Sequence, residues 1–139
     1  MAQEGTFSTP GTVQVTDFSR GDVFARNCPT RQLLDRVGDK WSVLILMLLG
    51  GGGLRFNELK RRIDGISQKM LSQTLRSLER DGLVEREVHP GKPISVSYTL
   101  LPLGAGLLGA VRMMTDWAET NMAEVAQAQA RYDAMEEAA

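Results

Sequence analysis

The chain has 139 residues, 42% hydrophobic and 24% charged, a composition ordinary for one globular domain with a single core. Its longest near-unbroken apolar run, residues 41–49 with Ser42 inside it, falls well short of the ~20 residues a membrane span needs. No basic-then-apolar leader opens the chain, so a cytoplasmic protein without a membrane partner is expected. The single cysteine and single histidine, Cys28 and His89, exclude an internal disulfide and a conventional zinc site and fit a reducing compartment.

The net charge of −1 conceals an uneven distribution. Residues 55–96 carry nine basic and six acidic side chains, a local +3, which leaves −4 on the remainder. Phosphate neutralisation depends on nearby charge, so a basic centre between acidic flanks suits a nucleic-acid footprint. A solvated helical face would give the same count.

Residues 1–23 are Gly-, Ser- and Thr-rich without sustained period and read as a disordered arm. A domain at 24–122 follows, and an Ala- and Glu-rich helical end at 123–139 is expected to fray. Asn27 or Cys28 caps a short helix with Pro29 at its first position, where a missing N–H costs nothing. That helix carries Leu33, Leu34 and Val37 and stops at Gly38. Asp39 caps a second helix built on the 41–49 run, and four glycines, Gly50 to Gly53, end it.

Phe56, Leu59 and Ile63 then recur at helical spacing, leaving Lys60, Arg61 and Arg62 outside. Asp64-Gly65 is a turn and Ser67 an N-cap. In the next helix Met70, Leu71, Leu75 and Leu78 make the apolar stripe until Asp81-Gly82 stops it. Two short helices joined by a Gly-containing turn have the proportions of a helix-turn-helix. The period changes from 3.6 to 2 thereafter. Residues 83–88 form a strand, His89-Pro90-Gly91-Lys92-Pro93 a turn, and Ile94, Val96, Tyr98 and Leu100 alternate with Ser95, Ser97 and Thr99 in a second strand. Pro102 and Gly104 precede a final helix with Leu107, Leu108, Val111, Met114, Trp117, Ala118 and Met122 on one broad side. The fold class expected is α+β, mainly helical: a winged helix-turn-helix flanked by N- and C-terminal dimerisation helices.

A reader helix in the major groove needs side chains that donate and accept near its N-terminus. Ser67, Gln68, Lys69, Ser72, Gln73 and Arg76 supply them, with Ser67 also able to be consumed as the cap. Arg86, His89 and Lys92 on the wing, and Arg55, Lys60 and Arg61 around the preceding helix, are candidates for phosphate contact. The stripe on the last helix is wider than a small domain covers, which points to a homodimer through Leu33, Leu107, Val111, Met114, Trp117 and Met122. Two reader helices related by a two-fold axis would favour an inverted-repeat operator on double-stranded DNA. An apolar effector pocket is placed near Trp41, Met47 and Trp117. No paired carboxylates, phosphate-cradling loop or metal cluster is present, and the tetraglycine lacks the Lys-Ser/Thr of a phosphate loop. Neither a cofactor nor an enzyme activity is therefore expected.

The motifs occur in a familiar order: Cys28-Pro29, Lys40-Trp41, Arg55 to Leu59, Ile66 to Leu71 and Leu75 to Leu83. Across about residues 26–118 the chain resembles the HxlR family of bacterial regulators. The resemblance implies a dimeric winged-helix transcriptional regulator, expected here to act as a repressor. It departs at Leu100-Leu101-Pro102-Leu103-Gly104, where the family has Leu-Thr-Glu-Leu-Gly, so the start of the last helix is expected to differ. Ser95 and Ser97 stand where the family has charged residues. In some members the cysteine matching Cys28 senses oxidants or electrophiles. A thiol at a helix start, with Arg26 and Arg31 near in sequence, has its thiolate favoured; a packed, inert thiol accounts for it equally. A winged-helix module that binds protein and not DNA is the alternative function.

Overall fold

The computed structural model describes residues 22–138. The arm expected at 1–23 lies outside them but for Asp22 and Val23. The chain divides into two compact units that part between Lys40 and Trp41.

In the first unit α1 spans Pro29–Gly38 with Pro29 at its start, and Cys28 is the N-cap residue, its side chain making no capping bond. The segment before it is tied down locally. Arg31 Nη1 donates to the Phe24 carbonyl at 2.8 Å, and the Phe24 N–H donates to Asp22 Oδ1 at 3.0 Å. No residue of α1 is buried, although Leu33 and Leu34 are among its side chains.

The second unit holds the core. After α2 (Lys40–Leu49) the chain makes β1 (Leu54–Arg55), α3 (Phe56–Arg62) and α4 (Gln68–Arg80). Then come β2 (Val84–His89), β3 (Ser95–Leu100) and α5 (Pro102–Ala138). Gly65 and Gly82 adopt φ of 88° and 77°, the left-handed region where a Cβ would be strained, and so they turn the chain after α3 and α4. The Ser67 cap forms as expected, its Oγ accepting the Met70 N–H at 3.0 Å.

The three strands are antiparallel in the order β1-β3-β2. Strand β1 was not anticipated; two residues give no alternating period to detect, and pairing of Leu54 with Tyr98 makes it a strand. Because β3 is central it is partly covered along its whole length, which blurs the alternation expected there. Ile94 lies outside the strand and stands exposed.

Ile45, Leu46 and Leu49 of α2, Leu59 of α3, Leu71, Leu75 and Leu78 of α4, and Tyr98, Leu108 and Val111 from the sheet and α5 form one buried cluster. Each fully buried aliphatic side chain contributes roughly 1.5–3 kcal/mol over its exposed state. The start of α5 differs from the expectation that Pro102 and Gly104 precede it: Pro102 opens the helix and Gly104 lies inside it, buried. A Cβ at Gly104 would drive into the Leu83 carbonyl, so that glycine allows α5 to pack closely against the end of the α4–β2 connection. From there α5 is helical over 37 residues, about 55 Å of rise. Residues 123–138 form the helical end expected there, in keeping with their content of Ala, Glu, Gln and Met. Among the described residues, five helices and one small antiparallel sheet make a mainly helical α+β winged helix-turn-helix.

Candidate nucleic-acid interface

Helix α4 buries Leu71, Thr74, Leu75 and Leu78 and turns the rest of its circumference outward. The buried Thr74 hydroxyl donates to the Met70 carbonyl at 2.8 Å, so this polar group on the inner face is satisfied without leaving the helix. At about 100° per residue, Lys69, Gln73, Arg76 and Arg80 fall within about 60° of one another in the middle of the outward arc. Gln68, Ser72 and Glu79 form the flank beside Leu75. All but Ser72 of these seven are exposed and Ser72 is half-buried. Ser67 is consumed as the cap. The arc thus joins Lys69, Gln73 and Arg76 of the expected set with Arg80, and places Gln68 and Ser72 to one side. Arg80 sits in the helix's last turn, away from the N-terminal end that usually enters a groove, so the sequence pattern alone does not single it out.

The Ser72 flank borders the wing. A cleft of about 620 Å³ opens between α4, the start of α3 and the hairpin, and three arginines, Arg55, Arg76 and Arg86, line it together with Glu58 and Glu79. Arg55 lies at the N-terminus of α3, where its backbone N–H donates to Glu58 Oε1 at 2.9 Å. Arg86 pairs directly with Tyr98 across β2 and β3, which puts the two side chains on one face of the sheet. Their side chains are hydrogen-bonded. Burial raises the Tyr98 phenol above its ordinary value, with the Arg86 charge and hydrogen bond opposing, Glu79 adding to the rise and Arg76 opposing weakly. Tyr98 was read from sequence only as an apolar-face residue. Its cross-strand partner could be found only once the hairpin register was known.

The other wing candidates stand apart from the cleft. His89 Nε2 lies 2.7 Å from Ser97 Oγ, a bond that links the two strands near the turn. Lys92 is exposed in that turn, next to a cis Lys92-Pro93 bond. Lys60 and Arg61 are exposed in the last turn of α3, where cations also suit the helix dipole.

The residues expected at a dimer interface divide. Val111 is 1% exposed and belongs to the chain's own core, and Leu107 packs partly against it; these positions lie in the first turns of α5, which the domain itself covers. Met114, Trp117 and Met122 are exposed, Trp117 by 63%, together with Met113, Tyr132 and Met135. Leu33 is exposed on α1. Of the residues placed around an effector pocket, Trp41 and Met47 pack against the core and Trp117 does not. None of the three lines the cleft beside the wing. Cys28 is a buried free thiol. No group of three or more His, Cys, Asp or Glu side chains among the described residues could hold a metal, and no described helix is long and apolar enough to cross a membrane.

A helix-turn-helix with a hairpin wing and a basic outward arc on its second helix defines the class of winged-helix transcriptional regulators. The model of the HxlR-like helix-turn-helix family matches residues 36–126. The uncharacterised HTH-type transcriptional regulator YtfH of Escherichia coli (strain K12) is 45% identical over 105 residues, 76% of this chain and 83% of that one. A solved structure of the YtfH regulator of Salmonella typhimurium superposes with a TM-score of 0.75 at 41% identity, covering 78% of this chain and 97% of that one. The redox regulator HypR in its reduced form gives a TM-score of 0.66 at 37% identity, covering 71% and 98%. The chain belongs to the HxlR family and is a helix-turn-helix transcriptional regulator rather than an enzyme.

Proposed function

We propose that the chain is a sequence-specific DNA-binding repressor that acts as a homodimer on an inverted-repeat operator. The observation that carries this is the outward arc of α4, where Lys69, Gln73, Arg76 and Arg80 stand together and exposed beside the wing. Arginine and lysine can pair with guanine, and glutamine can bond adenine through two hydrogen bonds. Gln68 and Ser72 contribute from the flank, and Ser67 caps the helix, directing its N–H end at a phosphate. Arg55, Lys60, Arg61, Arg86, His89 and Lys92 bear on the backbone, fixing register without reading sequence.

The second copy is joined through the exposed side chains of α5, Met114, Trp117 and Met122, with Leu33 of α1. The signal is read at Cys28, in keeping with similarity to a redox regulator. As the chain's one cysteine, it forms a disulfide only with another molecule, and its burial means that oxidation requires local opening.

The test is binding of the full chain to duplex DNA from its own upstream region at several salt concentrations, before and after diamide. Affinity that falls steeply with salt and changes with diamide is expected. Absence of any duplex affinity at low salt would favour a module that binds protein instead. Unchanged binding and no thiol adduct after diamide would remove the role of Cys28 and leave DNA binding intact.

A further inference from the structure

We propose that the cleft between α4 and the wing is a clamp for one phosphodiester of the DNA backbone, held by Arg76 and Arg86, with Tyr98 as the residue that positions Arg86. The proposal rests on the DNA-binding reading and adds a defined site to it.

Three features of the cleft point to a phosphodiester. Its three guanidiniums face two carboxylates, which leaves one net positive charge, the complement of a single phosphodiester. Glu58 is already engaged by the Arg55 backbone N–H, so Glu79 is the carboxylate that competes with an incoming anion. The donors also converge: Ser72 and Arg76 come from α4, Ser95 and Arg86 from the two wing strands. An oxyanion seated between them bridges the reader helix and the wing, and guanidinium forks suit paired phosphate oxygens. The mouth, finally, is apolar where Ile94 stands 66% exposed, a surface suited to the sugar on either side of a phosphate and not to a hydrated free ion.

Tyr98 gives the site its rigidity. The cross-strand pairing puts its side chain on the same sheet face as Arg86, Tyr98 is only 7% exposed, and the Arg86 guanidinium acts on the phenol through its charge and a hydrogen bond. An exposed arginine would otherwise sample many rotamers; one anchored on a fixed hydroxyl loses less freedom when it meets a phosphate. Arg76 also belongs to the outward arc of α4, so the phosphate it holds is adjacent to whatever bases that arc reads.

The experiment measures affinity for the upstream duplex against salt for the full chain and for Arg86→Gln, Arg86→Lys, Tyr98→Phe, Glu79→Gln and Arg131→Gln, with thermal melting as a check of folding. Each phosphate neutralised contributes about 0.9 to the slope of log affinity against log salt. Arg86→Gln should flatten the slope by about that amount, and Arg86→Lys should keep the slope while weakening binding. Tyr98→Phe should weaken binding about threefold to tenfold, the size of one hydrogen bond, at unchanged slope. Glu79→Gln should tighten binding, and Arg131→Gln on distant α5 should match the parent. An unchanged slope in Arg86→Gln, or tightness unaltered by Glu79→Gln, while the parent binds duplex, would overturn the clamp. A parent with no duplex affinity would instead overturn the reading on which the clamp rests.

Discussion

Helices α4 and α5 solve the same problem in opposite ways. The 13 residues of α4 bury four side chains, Leu71, Thr74, Leu75 and Leu78, and leave a polar and basic arc outside. The 37 residues of α5 bury only Gly104, Leu108 and Val111, all in the first ten, and leave Met113, Met114, Trp117, Met122, Tyr132 and Met135 exposed. The apolar face of α4 is therefore completed within the chain, and its free surface suits a charged, hydrated partner. A long helix gains most of its stability by packing an amphipathic face, and the apolar side chains left exposed along α5 would suit a protein contact. One helix completes its apolar face within the chain; the other leaves apolar side chains uncovered, the face proposed to join a second copy.

The comparison can be broken first at α4. Replacing Lys69, Gln73 and Arg76 together with alanine should weaken duplex binding by about 1000-fold, given roughly 1–3 kcal/mol for each well-formed contact. Circular dichroism should stay unchanged, because none of the three is buried. On the inner side of the same helix, Leu71→Ala should lower stability by about 2–5 kcal/mol in denaturant unfolding, since Leu71 is 0% exposed. On α5, introducing Met114→Glu with Trp117→Glu should weaken self-association by about 100-fold in sedimentation without lowering the stability of the core, because a charge placed in an apolar contact is left desolvated and unpaired. Ser67→Ala should cost about 1 kcal/mol through the lost cap.

The smallest effect concerns alkaline pH. The raised phenol of Tyr98 keeps its proton longer in the folded chain than in the unfolded one. Its contribution to stability is therefore complete below the ordinary tyrosine range and is lost as pH rises through it. Tyr98→Phe should flatten the fall in stability above that range.

Much of this contrast was legible in the sequence, for local reasons. The stripe Leu71, Leu75, Leu78, the Ser67 cap and the Gly82 stop depend on neighbours within a turn or two, and these locate α4 closely, although Met70, expected in the stripe, is 38% exposed and Thr74 is buried in its place. The change to a period of two after Gly82 located the wing. What escaped depended on distant partners. Strand β1 exists because Leu54 meets Tyr98, 44 positions later by their numbers. Val111 looked like an interface residue because a helical stripe does not reveal where the domain's own cover ends; the fold ends it just beyond Val111. The cleft with Arg55, Arg76, Arg86 and Tyr98 combines four elements, and its three arginines are legible in the sequence only as separate candidates, not as one site.

The most direct test of the division between a reading helix and a joining helix is a footprint of the full chain on its upstream duplex. Two protected patches are predicted, about 34–36 Å apart on one face of the helix and related by an inverted repeat, and both should vanish together in the Met114→Glu, Trp117→Glu variant. A single undivided patch that persists in that variant would contradict the account.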